Sequence, residues 1–395
     1  MDSVFFYRNS KPAGGEDGAL QELKIALQPN VSVTGWPATA GSNALAGFTA
    51  LQDATVVDRL RRAGASLCGY TVMSEFGFGL GGSSAGEAVR RKIADAELVV
   101  DMLGESRLAA ARADACGFKP SYGLISRFGI IGLIPSMECP GIVSGNVRQI
   151  RAILEAVAGP DELDFSLPDE EPLDFSPQEI DPQKTTLGFV PELVGGLSGQ
   201  QQNKFMSALE FLRKGGFKVR ESRLPDFSRF ALVHRIVGSV EASSCAGRYD
   251  SVRYGPRAVG AKNWNEMYIL SRAIAFGSLV KSYLFQGAFF QFERYEAYDN
   301  ACRIRAGLLA EMRQLHSEAD FLVIPTAPGE NLDAVSLEET YRMFDFMAFA
   351  NVTGQPALYM PSVGGGGIQI VGPRRSDPDL LALGESILHA GRGGN

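Results

Sequence analysis

Several things are scarce in this chain of 395 residues, and each scarcity excludes a class of function. There are three histidines, His234, His316 and His389, spread too widely in sequence to suggest a metal site or a histidine-based catalytic triad. The five cysteines, at positions 68, 116, 139, 245 and 302, are odd in number and show no zinc spacing. They read as free thiols in a reducing compartment, cytoplasmic or an organellar matrix or stroma. Apolar runs never reach the ~20 residues of a membrane helix. Net charge is −7 with no long basic tract, so no footprint for a phosphate backbone is present and direct nucleic-acid binding is not expected. The N-terminus lacks a basic region leading into an apolar one, and its Asp2, Glu16 and Asp17 do not suit a transit peptide.

What remains is a globular profile, 45% apolar and 21% charged, on a chain long enough for one large α/β domain or two ordinary ones. Residues 1–22, with a Pro-Ala-Gly-Gly turn, read as a loose arm. Leu23 to Val33 alternates like a strand broken at Pro29. Asp53 to Gly64 reads as a helix with Asp53 as N-cap and Gly64 as C-cap, followed by a strand over Ala65–Val72. Val147 to Ala158 carries an apolar helical stripe. Residues 159–185, rich in Pro, Asp and Glu, read as a solvated linker or hinge. Beyond it come a strand at Leu187–Val190, a helix at Gln201–Lys214, a strand at Phe217–Arg220 and a buried strand from Phe321 into a loop at Pro328.

The centre of the chain is Phe78 to Gly123. It opens on the turn Gly79-Leu80-Gly81-Gly82-Ser83-Ser84-Ala85-Gly86, passes through the apolar run Leu98-Val99-Val100, and reaches a second turn, Asp101-Met102-Leu103-Gly104-Glu105-Ser106-Arg107. This stretch resembles the amidase signature family, in which a Gly-Gly-Ser-Ser-Gly-Gly turn carries a bridging serine and an Asp-x-Gly-Gly-Ser-x-Arg turn carries the serine nucleophile. Gly35-Trp36-Pro37-Ala38-Thr39-Ala40-Gly41-Ser42, the helix after it and Met73-Ser74-Glu75-Phe76 extend the resemblance and fix its register. The run from Glu241 to Gly255 resembles one branch, the glutamyl-tRNA(Gln) amidotransferase A subunits.

The resemblance implies a three-layer α/β/α sandwich with a mixed central sheet, shortened at its N-terminus. It implies one domain over 23–390, with halves at 23–158 and 186–390 joined by the 159–185 linker, and a tail at 391–395. Carried over residue by residue, the bridging serine falls on Ser83, the nucleophile on Glu105 and the catalytic lysine on Gln28. Lys24 shares a strand face with Gln28 but lies ~13 Å away at ~3.3 Å per residue, too far to replace the base. The arginine that holds a substrate carboxylate falls on Arg305, with Arg253 and Tyr254 nearby in the motif. The acidic residue that faces a substrate amine falls on Phe344, with Asp345 beside it.

These departures remove the nucleophile and the base, since an amide side chain cannot take a proton near neutral pH. Leu103 replaces a turn glycine and is expected to crowd the oxyanion backbone. Three functions stay open. The first is a scaffold that has lost amide hydrolysis and works as a structural or regulatory subunit with protein partners. The second is an amidase or glutamine amidotransferase with Ser106 as shifted nucleophile or Glu105 as general base. The third is a non-catalytic module that binds a small amide or amino acid at Arg305. No cofactor or metal is implied. For Glu105 the simplest role is a carboxylate that accepts from Ser83 or Ser84, or pairs with Arg107 or Arg112, and fills the cleft. For Ser83 and Ser84 it is bracing of the turn.

Overall fold

The computed structural model describes residues 4–10, 17–224, 226–326 and 336–392. The Pro-Ala-Gly-Gly turn, the loop after Pro325 and the last three residues of the tail lie outside these. Among the described residues eleven strands form one sheet: β1 (Phe5–Arg8), β2 (Lys24–Leu27), β3 (Ser66–Thr71), β4 (Ala96–Asp101), β5 (Cys116–Lys119), β6 (Cys139–Ser144), β7 (Thr186–Phe189), β8 (Lys218–Glu221), β9 (Phe321–Pro325), β10 (Ala357–Val363) and β11 (Gly366–Val371). Their order is β1-β3-β2-β4-β6-β5-β10-β11-β9-β7-β8. β2 runs parallel to β3 and β4, and β7 parallel to β8 and β9; the pairs between these groups are antiparallel. Strands from before and after the 159–185 segment therefore share one mixed sheet.

Period-two alternation shows how the layers are built. The helices in chain order are α1 (Thr55–Arg62), α2 (Glu87–Arg90), α3 (Glu105–Ala113), α4 (Val147–Val157), α5 (Pro191–Gly195), α6 (Gly199–Lys214), α7 (Ser228–Ala246), α8 (Trp264–Ala275), α9 (Ser278–Phe292), α10 (Tyr295–Glu318), α11 (Leu337–Met343), α12 (Ala348–Thr353) and α13 (Asp377–Arg392). On β6, Gly141 faces Ser106 of α3, whereas Ser144, of opposite parity, bonds Gln149 of α4. On the neighbouring pair, Gly117 faces α3 while Leu358 packs on Gly384 of α13. So α3 covers one face and α4 with α13 the other, the expected sandwich. α4 forms because Ile150, Ile153, Leu154 and Val157 make a buried stripe and Asn146 caps the Gln149 N–H at 2.9 Å.

Three local expectations are corrected. The arm is not loose throughout: Phe5–Arg8 adds to β3 as an antiparallel edge strand. Asp53 does not cap α1; its carboxylate takes the Thr34 N–H and pairs with Arg61, and Ala54 holds the cap position. The 159–185 segment has no regular structure but is pinned to the body. Glu170 pairs with Arg374 and Arg375, Asp161 accepts from Thr55 and Ser126, and Phe175 is buried.

A glutamate in the main-chain nest of the candidate active site

β4 is buried along its whole length, and its last residue, Asp101, delivers the chain to the turn before α3. That turn closes at Gly104, whose φ is 131°; a Cβ there would lie 2.4 Å from Met347 Cβ, so only glycine fits. The geometry turns three successive N–H groups to one point. Glu105 Oε2 accepts from Met102 at 2.7 Å, Leu103 at 2.7 Å and Gly104 at 3.1 Å, and its Oε1 accepts from Gly79 at 3.2 Å. Glu105 opens α3, so the free N–H end of that helix adds its positive dipole.

This corrects two expectations. Glu105 bonds neither Ser83 nor Ser84 and pairs with neither Arg107 nor Arg112; its partners are main-chain donors from both turns. Leu103 keeps its N–H in the nest while its side chain is fully buried in the core. Burial pushes the Glu105 carboxyl up, to about 7, and the Asp101 charge adds to this, against the N–H donors that favour the carboxylate.

Ser106 points elsewhere. Its Oγ donates to Asp101 Oδ2 at 2.5 Å, its N–H donates to the same oxygen, and it packs on Gly141 of β6 with no exposed surface. It belongs to a buried network in which Arg107 donates to Asp101, Asn351, Gln369 and the Met347 carbonyl. Asn351 in turn donates to Asp101 and to the Met137 carbonyl. Burial opposes ionisation of Asp101, but Arg107, Ser106, Lys119 and Asn351 together hold its carboxyl below the usual range.

Ser83 and Ser84 brace the first turn against the end of β3. Ser83 Oγ donates to the Val72 carbonyl at 3.1 Å and accepts the Ala85 N–H; Ser84 Oγ donates to the Val4 carbonyl and accepts the Val72 N–H. Gln28 is buried and its carbonyl takes the Val100 N–H of β4 at 3.1 Å. Nearby Asn30 is fully buried with neither amide atom bonded to a protein group.

Arg305 is spent on the protein itself. It donates to the Val352 carbonyl at 2.9 Å and twice to Ser136 at 2.8 Å, and Ser136 in turn bonds Glu241. Arg253 lies exposed over the ring of Tyr254, and Asp345 is exposed in the turn between α11 and α12. Apart from the Arg253–Tyr254 stack, these four residues make no bond with one another, so they do not form one site here.

Sequence reasoning missed His234. Its Nε2 lies 2.8 Å from the Met102 carbonyl, which can only accept, so Nε2 carries the proton and Nδ1 accepts from Tyr341 Oη at 2.9 Å. Tyr341 and Tyr283 hydroxyls are 3.2 Å apart, and Tyr283 stacks on Phe78, the residue before the first turn. Burial brings His234 down to about 4, so the ring is neutral. A lone histidine in the middle of α7 gives no local signal of this; only the folded chain brings α7 over the second turn.

The fold and the two turns are those of an amide-hydrolase scaffold, and the chain belongs to the amidase family, whose sequence model matches residues 7–83 and 79–381. Within it the chain is like the A subunits of glutamyl-tRNA(Gln) amidotransferase. It is 31% identical to that of Natronomonas pharaonis, over 94% of this chain and 96% of the relative. It is 34% identical to that of Thermus thermophilus, over 92% and 83%. The structure superposes on the Thermotoga maritima A subunit with a TM-score of 0.79 at 22% identity, covering 97% of this chain and 86% of that one. It superposes on the peptide amidase of Stenotrophomonas maltophilia with a TM-score of 0.76 at 23% identity, covering 95% and 84%. These two likenesses speak to fold. Among the described residues no helix is long and apolar enough to cross a membrane.

Proposed function

We propose that this protein is an amidase-family scaffold that does not hydrolyse amides, and that it acts as a structural or regulatory subunit with protein partners. The carrying observation is the Glu105 carboxylate seated on four main-chain N–H groups. Amide hydrolysis needs a nucleophile, a proton acceptor and donors left free for the developing oxyanion. In this reading the chain's own carboxylate takes the place of that oxyanion, Gln28 cannot accept a proton, and Ser106 Oγ is committed to Asp101. The nest is thereby kept as a structural joint between the two turns. The A-subunit relatives, named as parts of an amidotransferase, support a place in an assembly.

The test is ammonia release from glutamine and from a simple aromatic amide by the purified chain, with Ser106→Ala and Gln28→Lys/Glu105→Ser beside it. The natural chain is expected to be silent. Hydrolysis by the natural chain that disappears in Ser106→Ala would return the nucleophile to Ser106 and overturn the reading. Hydrolysis that survives Ser106→Ala and disappears in Glu105→Gln would make Glu105 a general base on water, and would overturn it too.

A further inference from the structure

Outside the nest, α8 and α9 carry several exposed apolar side chains. On α9, Phe285, Phe289 and Phe292 stand at i, i+4 and i+7, one stripe along the helix, and are 74%, 48% and 76% exposed. The opposite stripe of α9, Val280, Tyr283, Leu284 and Gly287, is buried against the body. Between α8 and α9 runs a groove of about 400 Å³ whose walls include Ile269, Ala273, Phe276, Phe285 and Ala288. Tyr295, the first residue of α10, is 59% exposed.

We propose that this face is an isologous interface, and that its occupant is a second copy of this chain. Three observations favour a copy. The face carries both a ridge, the phenylalanine stripe, and a groove beside it, and a two-fold axis places the ridge of each copy in the groove of the other. The exposed parts of Phe285, Phe289, Phe292, Ile269 and Tyr295 amount to about 650 Å², taking about 200 Å² for each large side chain, which approaches the ~800 Å² per partner of a specific interface. The charges at the face are already satisfied within the chain. Arg272 donates to the Ala246 and Tyr249 carbonyls, Lys281 to the Ala273 carbonyl, and Arg294 pairs with Glu296, so no acidic partner is called for. The inference goes beyond the reading of the nest and stands whether or not the chain turns over an amide.

Sedimentation velocity of the purified full chain at micromolar concentrations tests it. The expected species has twice the 42.5 kDa of one chain. Phe285→Glu/Phe292→Glu should halve that mass and leave the melting temperature and near-ultraviolet dichroism unchanged. Phe165→Glu, an exposed change outside the face, should keep the dimer. Amide exchange in 278–292 of the unaltered chain should slow as its concentration rises, which needs no variant to fold. A chain that stays monomeric, a dimer that survives the double change, or exchange in 278–292 that ignores concentration would each overturn the proposal. So would a monomer that floats with phosphatidylcholine vesicles, since the face would then belong to lipid.

Discussion

The first residue of a helix sees N–H groups that no turn of that helix can use. Glu105 takes those of the turn before it and one from Gly79, while Ser106, one position on, is turned into the sheet. The two neighbours therefore fail differently. Ser106→Ala should cost about 1–3 kcal/mol in chemical denaturation, through the lost bond to Asp101. Arg107→Met should cost about 3–5 kcal/mol, because Asp101 is left charged and buried.

The pH behaviour belongs to the same scale. Glu105 and Glu97, which accepts from Thr71 and the Gly86 N–H inside the core, are both raised to about 7, chiefly by burial. Their stabilisation is complete below the ordinary carboxyl value of 4.5 and is lost as pH rises toward 7. His234 and His316 are lowered to about 4 by burial, so theirs is complete above 6.5 and is lost as pH falls toward 4. Over pH 4.5–6.5 the two pairs oppose each other and the melting temperature should change little. Glu105→Gln removes one falling contribution, so its melting temperature should rise more steeply than that of the natural chain between pH 5 and 7. A shallower rise would show that the N–H donors keep Glu105 ionised throughout.

At the scale of elements, the turn between β4 and α3 is fixed by Gly104. Gly104→Ala meets both a positive φ and the Met347 side chain, and should cost about 2–4 kcal/mol in denaturant unfolding. A loss under about 1 kcal/mol would mean that the turn can relax, and with it the nest. The elements legible in sequence were those with a period of their own, such as α1 and α4. β1 was not: Phe5-Phe6-Tyr7-Arg8 does not alternate, and it becomes a strand only because β3, some sixty residues on, offers a free edge. The Pro/Asp/Glu-rich 159–185 segment was read from composition as solvated; its carboxylates find Arg374, Arg375, Thr55 and Ser126, which composition does not reveal.

For the whole molecule, motif order was enough to place the fold, and register was enough to single out Glu105 in the second turn. What the carboxylate touches was not legible. Sequence proposes side-chain partners such as Ser83 or Arg112, whereas the donors are main-chain N–H groups, which every residue but proline carries and which leave no mark on a sequence. His234 was hidden for a related reason, since its partner on the second turn is a carbonyl. The common outcome is a pair of turns whose main-chain groups are taken up by the chain's own side chains.

The central claim is therefore that the nest is an anion receptor occupied by Glu105, and acetate tests it most directly. Glu105→Ala opens the nest. The account predicts that acetate raises the melting temperature of Glu105→Ala in a saturable way, relative to chloride at equal ionic strength. Acetamide should not do so, and the natural chain should not respond to either. A response of the natural chain equal to that of the variant, or none from the variant, would contradict it.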